Sequence, residues 1–81
     1  MRLVAEFTTE PFEGEGEPPP HATEALEVAL RSGLECDFGP LGTSVRGESA
    51  DLFGAIGEIL STAFGQGATR VTLQVERDDR G

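Results

Sequence analysis

The stretch that decides the fold lies at residues 43–76 and is TSVRGESADLFGAIGEILSTAFGQGATRVTLQVE. Its centre carries apolar side chains at the three- and four-residue spacing of an amphipathic helix, and these are Leu52, Phe53, Ile56, Ile59, Leu60, Ala63 and Phe64. Ser49 precedes them as a favoured N-cap, while Gly65 and Gly67 end the helix. Apolar and polar residues alternate on both sides, so the stretch predicts a strand, a helix and a second strand. The helical spacing also predicts that Phe53 and Phe64 belong to the core.

The residues before this stretch predict a strand, a helix and a strand as well. Residues 2–9 and 34–38 each alternate between apolar and other side chains, and a helical pattern between them ends at Ser32 and Gly33. The predicted apolar faces of the three elements are Leu3, Ala5 and Phe7, then Ala22, Leu26, Ala29 and Leu30, then Leu34, Cys36 and Phe38.

The resulting order, β-α-β-β-α-β, predicts an α+β fold of the ferredoxin-like type. Two right-handed crossovers and a hairpin give a four-stranded antiparallel sheet with both helices on one face. The uncovered face then carries a mixed set of mostly polar side chains, which are Val4, Glu6, Thr8, Ser44, Arg46, Arg70, Thr72 and Gln74.

The length and the net charge of the chain limit the classes of function and partner to be expected. With 81 residues the chain is predicted to form one domain over residues 1–81, with an acidic loop rich in Pro and Gly at residues 10–20. The net charge of −9 argues against nucleic acid and against an anionic membrane surface as partners. Because no signal segment or membrane span is evident, we expect a cytoplasmic protein. Because so short a chain buries little surface, we expect a homo-oligomer, either a dimer or a tetramer.

Few residues offer catalytic chemistry. The chain has one Cys and one His, which excludes an internal disulfide and a cysteine-based zinc site. We recognise no Ser/His/Asp or Cys/His set in the sequence, so neither a metal site nor an enzyme is expected. A mechanism using paired carboxylates stays open, because acids are plentiful. We expect His21 at the surface beside the prolines and Cys36 in the core. Asp78 and Asp79 are typical of a solvated tail, and weak binding of a divalent ion is the alternative interpretation of the pair.

Gly54 and Gly57 are unusual inside a helix, where each costs about 1 kcal/mol relative to Ala. Close packing against a neighbouring helix or a neighbouring subunit would offset that cost. The two glycines therefore favour an oligomer interface.

Four motifs resemble the small YkoF-type thiamine-binding family, and together they cover nearly the whole chain. They are the strand leading into Thr9-Glu10-Pro11-Phe12, the helix exit Ser32-Gly33-Leu34, the turn and strand Pro40-Leu41-Gly42-Thr43-Ser44-Val45-Arg46-Gly47-Glu48, and Gly67-Ala68-Thr69-Arg70-Val71 followed by Asp78-Asp79-Arg80. The resemblance implies a ferredoxin-like fold, homo-oligomers, and non-catalytic binding of thiamine or its hydroxymethylpyrimidine moiety, with no further cofactor. The chain departs from the family at Glu17-Pro18-Pro19-Pro20-His21 and at Gly54-Ala55-Ile56-Gly57-Glu58.

Thiamine has a flat aminopyrimidine and a cationic thiazolium, so its site needs an apolar wall, hydrogen-bonding groups and negative potential. Phe38 and Phe12 flank loops and are the candidate aromatic walls. The candidate ligand-binding residues are Phe38, Gly42, Thr43, Ser44, Glu6 and Thr8. Gly42 permits close approach of a planar ligand, and Thr43 offers a donor and an acceptor.

Simpler interpretations of these residues stay open. The turn before Thr43 is also typical of an ordinary hairpin, and Glu6 and Thr8 of a solvated sheet face. The glutamates of residues 10–17 form either a lid over a cationic ligand or a solubilising loop. A structural or regulatory interaction module with the same fold and no thiamine ligand is the alternative function. The scarcity of cations favours free thiamine or the pyrimidine over thiamine diphosphate.

Overall fold

The computed structural model describes residues 1–11, 16–39 and 42–79. The elements along the chain are β1 (Arg2–Glu10), α1 (Pro20–Arg31), β2 (Glu35–Gly39), β3 (Gly42–Glu48), α2 (Ser49–Gly65) and β4 (Arg70–Arg77). The strands form one sheet in the order β2-β3-β1-β4, with every neighbouring pair antiparallel. The predicted ferredoxin-like α+β fold is confirmed.

The core lies between the helices and one face of the sheet. Strand β1 runs through its centre, and Leu3, Ala5 and Phe7 are each no more than 5% exposed. The helices cover this face with short side chains, and the buried helical residues are His21, Ala25, Val28, Ala29, Leu52, Ala55, Ile59 and Ala63. Val45 of β3 completes the buried centre. Since alternate strand residues point to opposite faces, the polar residues of β1 and β3 lie on the uncovered face.

The buried faces of the two helices differ from the predicted ones. The predicted apolar face of α2 was too wide, and that of α1 was centred on the wrong residues. Phe53 and Phe64 are 60% and 51% exposed, so the prediction that they belong to the core was wrong. Each residue advances a helix by about 100°, and Phe53 therefore lies well to the side of the buried Leu52. In α1, Leu30 is 51% exposed, because the buried stripe runs through Ala25, Val28 and Ala29 instead.

The start of α2 also differs from the prediction. Its N-cap is Glu48 rather than Ser49, and Glu48 makes no capping hydrogen bond with its side chain. The carboxylate instead meets the Met1 ammonium at 3.2 Å. An ion pair across the sheet end has replaced the local cap.

His21 and Asp78 were both expected to be solvated, and both expectations were wrong. His21 is 4% exposed and hydrogen-bonds the Thr9 hydroxyl and the Pro11 carbonyl. Asp78 has a side chain that is 6% exposed and lies 3.9 Å from the Arg46 guanidinium. The backbone N–H of Asp78 also donates to the Arg2 carbonyl, and this bond continues the hydrogen-bond ladder between β1 and β4 beyond the end of β4. Neither site could be found from composition, because each depends on partners distant in the sequence.

No helix in the described part of the chain is both long and apolar enough to cross a membrane.

Candidate functional site

A row of four polar side chains crosses the uncovered face of the sheet from edge to edge. Ser44 pairs with Asp37 on one side and with Glu6 on the other, and Glu6 pairs with Gln74. Paired residues of neighbouring strands point to the same face, so the order across the sheet is Asp37, Ser44, Glu6, Gln74. Neighbouring strands lie about 4.8 Å apart, so the backbones of Asp37 and Glu6, which are two strands apart, are separated by about 10 Å.

The adjoining row is built of small residues. Gly39 pairs with Gly42, and Thr8 pairs with Thr72. Gly42 also lies against Thr8, since a Cβ placed on Gly42 would be 3.0 Å from Thr8 Cγ2 and 3.1 Å from the Phe7 carbonyl oxygen. The surface above Gly39 and Gly42 is therefore bare backbone.

These two rows enclose a cavity of about 450 Å³ that opens to solvent. Its lining residues are Glu6, Phe7, Thr8, Asp37, Gly39, Gly42, Thr43, Ser44, Thr72 and Gln74. A volume of this size lies in the range used by small-molecule sites, about 300–1,000 Å³. The floor is sheet backbone and the walls are acids, hydroxyls and one amide.

The cavity lining includes two carboxylates, those of Glu6 and Asp37. Neither Glu6 nor Asp37 forms an ion pair with another residue that the structure describes. Arg46 lies on the same face in the next row, beside Val4, but its guanidinium pairs with Asp78 one row further from the cavity. The cation nearest in the sheet is therefore directed away from the two carboxylates.

The structure brings five of the six predicted site residues together around this cavity. Glu6, Thr8, Gly42, Thr43 and Ser44 all line it. Thr43 is only 4% exposed and alternates with Ser44, so its side chain points toward the helices and its backbone forms the floor. The Thr43 hydroxyl, expected to donate and accept hydrogen bonds at the ligand site, therefore lies on the face of the sheet opposite the cavity.

The sixth predicted residue, Phe38, does not line the cavity. It pairs with Thr43, shares that residue's face of the sheet, and is 39% exposed. The other candidate wall, Phe12, lies outside the described residues, as do Glu13 and Glu15 of the acidic loop and Pro40 and Leu41 of the turn.

Sequence reasoning missed three polar lining residues. Asp37 was assigned only to the polar side of its strand, and Thr72 and Gln74 only to a mixed polar surface. Strand alternation placed each on the correct face, but only the pairing register brings Asp37 and Gln74 into one row with Glu6.

Cys36 lies on the helix side of β2 and packs partly against the core. Burial raises the pKa of its thiol, which therefore stays protonated at neutral pH. In the described residues no group of three or more His, Cys, Asp or Glu side chains could hold a metal ion.

Comparison with known proteins identifies the family. Residues 5–81 match the family described as thiamine-binding protein. The chain belongs to this family. The thiamine-binding resemblance deduced from the four motifs is thereby confirmed, and the name of the family denotes a binding role. No protein of curated function is similar enough in sequence to match the chain.

Solved structures share the fold at low sequence identity. A protein from Methanocaldococcus jannascii is 24% identical with a TM-score of 0.71, and the match covers 99% of this chain and 84% of that one. A candidate thiamine biosynthesis or salvage protein from Thermotoga maritima is 22% identical with a TM-score of 0.70, over 100% and 88% of the two chains. A domain of unknown function from Bacillus cereus is 20% identical with a TM-score of 0.66, over 93% and 72%. At these identities the likeness establishes the fold alone.

Proposed function

We propose that this protein binds thiamine or its precursor hydroxymethylpyrimidine, without catalysing a reaction, in the cavity lined by Glu6 and Asp37. We further propose that it acts as a homo-oligomer in the cytoplasm. The observation that carries the ligand assignment is the pair of carboxylates, free of ion pairs with described residues, that flank a row of hydrogen-bonding groups. Family membership supports the same ligand.

The electrostatics of the cavity favour a cation. The thiazolium of thiamine carries a permanent positive charge, and the Glu6 and Asp37 carboxylates supply the opposite charge at the cavity walls. The described lining contains no Arg, and the chain contains no Lys. A diphosphate would meet two carboxylates and no cation of the described lining, so free thiamine is preferred over its diphosphate.

The neutral groups suit the pyrimidine. Gln74 offers both an amide donor and a carbonyl acceptor, and the Ser44, Thr8 and Thr72 hydroxyls offer either. The bare backbone at Gly39 and Gly42 lets a flat ring approach the sheet closely. In this proposal, contact with backbone takes the place that the sequence assigned to Phe38, which does not line the cavity.

Calorimetric titration of thiamine, hydroxymethylpyrimidine and thiamine diphosphate into the protein tests the proposal. We expect thiamine to bind more tightly than the diphosphate, and its affinity to fall with rising ionic strength. Glu6→Gln and Asp37→Asn should each weaken thiamine about three- to tenfold, as expected for partly exposed charge pairs, and should affect the neutral pyrimidine less. Glu58→Gln on α2 is the matched control, because it makes the same charge change far from the cavity.

The ligand assignment fails if neither thiamine nor the pyrimidine binds, or if the diphosphate binds most tightly. The absence of all binding by a folded protein would favour an interaction module with the same fold. If Glu58→Gln weakened thiamine binding as much as the cavity variants do, the effect of the carboxylates would be due to the overall charge of the protein.

A further inference from the structure

One arginine of the uncovered face adjoins the row that holds the two cavity carboxylates. Arg46 pairs with Val4 on one side and with Glu35 on the other. Glu6 and Asp37 lie two residues further along those same strands, so both are diagonal neighbours of Arg46. Diagonal neighbours on one face of a sheet are about 7–8 Å apart, within reach of a long side chain. The Arg46 side chain is therefore long enough to meet either carboxylate.

The other arginines that the structure places on this face lie further from the carboxylates. Arg2 is two rows from Glu6 along β1. Arg70 pairs with Glu10, which is two rows from Glu6 in the opposite direction, and its guanidinium lies 3.8 Å from the Glu10 carboxylate. Among the described arginines, Arg46 is thus the one whose position decides whether the cavity stays negative.

The Arg46 guanidinium instead meets Asp78 on the side away from the cavity. The two charged groups are 3.9 Å apart, and the Asp78 side chain is only 6% exposed. The Asp78 N–H donates to the Arg2 carbonyl at 3.0 Å, which fixes this residue just beyond β4. A carboxylate so well buried requires a cationic partner, because an unpaired charge is costly to remove from water.

The competing carboxylates of the cavity are in a different environment. Glu6 and Asp37 are both exposed. Water screens the attraction between exposed charges, whereas a buried carboxylate attracts a cation more strongly at the same distance. The contrast in burial therefore explains why Arg46 is directed to Asp78 and leaves Glu6 and Asp37 without it.

We propose that Asp78 is a positioning residue that sets the charge preference of the cavity. It holds the Arg46 guanidinium away, so that Glu6 and Asp37 remain available to a cationic ligand. This inference deepens the function proposed above and rests on it. Without the Asp78 charge, Arg46 turns to its diagonal neighbours, where a cation relieves the repulsion between two carboxylates. The cavity then attracts a thiazolium less and offers a phosphate a cation.

The variant Asp78→Asn tests this role, because the amide keeps the shape of the side chain and removes its charge. In calorimetric titrations thiamine should bind about three- to tenfold more weakly and thiamine diphosphate about threefold more tightly, while neutral hydroxymethylpyrimidine changes by less than about twofold. Damage to the fold would weaken all three ligands together. Opposite changes for the cation and the diphosphate therefore distinguish positioning from a merely structural role, and a uniform change would overturn the proposal.

A neighbouring residue supplies the matched control. Asp79→Asn makes the same substitution one residue later, where the side chain is 85% exposed and lies 4.0 Å from Arg77. It should leave the affinities for all three ligands unchanged. An equal effect of Asp79→Asn would assign the change to net charge and would overturn the role of Asp78.

A double variant tests whether Asp78 acts through Arg46. Asp78→Asn combined with Arg46→Gln should bind thiamine as tightly as Arg46→Gln alone, because the side chain that Asp78 positions is then absent. If Asp78→Asn weakened thiamine as much in the Arg46→Gln background as in the wild type, Asp78 would act by another route. That result would overturn the proposal.

A measurement without ligand separates this proposal from the function on which it rests. The carboxyl carbon-13 signals of Glu6 and Asp37 should move in Asp78→Asn, because the Arg46 guanidinium then contacts these groups. In the Arg46→Gln background the same substitution should leave them in place. Unmoved signals in an Asp78→Asn variant that is folded by circular dichroism would overturn the role of Asp78 even if thiamine binds. If the signals move but the wild type binds neither thiamine nor the pyrimidine, the positioning by Asp78 stands and the ligand assignment fails.

Discussion

The Nδ1 atom of His21 lies 2.7 Å from the Thr9 hydroxyl oxygen, and Nε2 of the same ring lies 3.0 Å from the Pro11 carbonyl oxygen. A carbonyl oxygen only accepts, so Nε2 carries a proton and donates it to Pro11. In the neutral ring Nδ1 then accepts from the Thr9 hydroxyl. One buried imidazole thereby joins the first turn of α1 to the end of β1, next to the cavity residue Thr8.

The first prediction concerns this link. His21→Ala should lower the free energy of unfolding by about 2–4 kcal/mol, because it removes a buried and a partly buried hydrogen bond and opens a cavity. Thr9→Val removes one of the two bonds and should cost about 1–2 kcal/mol. Urea denaturation measures both. Thr23→Ala is the control, since the Thr23 hydroxyl makes an exposed hydrogen bond to Pro20 and its loss should cost no more than about 0.5 kcal/mol.

The second prediction concerns the floor of the cavity. Gly42→Ala should destabilise the protein by about 1–3 kcal/mol, because the new methyl group meets Thr8 Cγ2 at 3.0 Å and the Phe7 carbonyl oxygen at 3.1 Å. The Phe7 carbonyl belongs to a central strand and cannot move aside easily. Gly39→Ala is the matched control, with only an ordinary contact at 3.5 Å. Equal stabilities of the two variants in thermal unfolding would contradict the close approach.

The third prediction concerns the glycines of α2. No atom of the described residues lies within 4 Å of a Cβ placed on Gly54 or Gly57, so packing against the described part of the chain requires neither glycine. Gly54→Ala and Gly57→Ala should therefore each stabilise the fold by about 1 kcal/mol in urea denaturation. Association measured by sedimentation should stay unchanged if the outer side of α2 lies outside any contact between subunits. Weaker association would instead place the outer side of α2 in the contact.

The fourth prediction concerns Cys36, the chain's one thiol. Burial raises its pKa, so at mildly alkaline pH it carries less thiolate than the unfolded chain does. The stability tied to this thiol is fully present below its unfolded pKa and is lost as the pH rises through the folded pKa. Reaction with a disulfide reagent should be slower in buffer than in concentrated urea. Equal rates would mean that the folded chain exposes Cys36 freely.

Local patterns predicted the fold, since alternation and helical spacing act over a few neighbouring residues. The inward positions of Leu3, Ala5 and Phe7 followed from alternation alone. Helix periodicity could not separate Leu52 from Phe53, because both fit a wide apolar stripe and only the width of the covered surface decides between them. His21 was misplaced for a related reason, as its two partners lie ten and more residues earlier in the chain.

The residues that line the cavity were also predictable only in part. Glu6, Thr8 and Ser44 could be assigned to the open face by counting along each strand. Their grouping with Asp37 and Gln74 depends on how four strands are aligned, and that alignment is set by the whole packed structure rather than by any single segment.

The central position of β1 has a consequence for synthesis. Ala5 pairs with Val45 on one side and with Val75 on the other. Strand β1 is therefore made before both of its neighbours, β3 and β4. Until then its apolar face has no sheet to join, and closing so long a loop costs chain entropy before any contact repays it. The sheet is thus completed only after β4, the last of the six elements, has emerged from the exit tunnel.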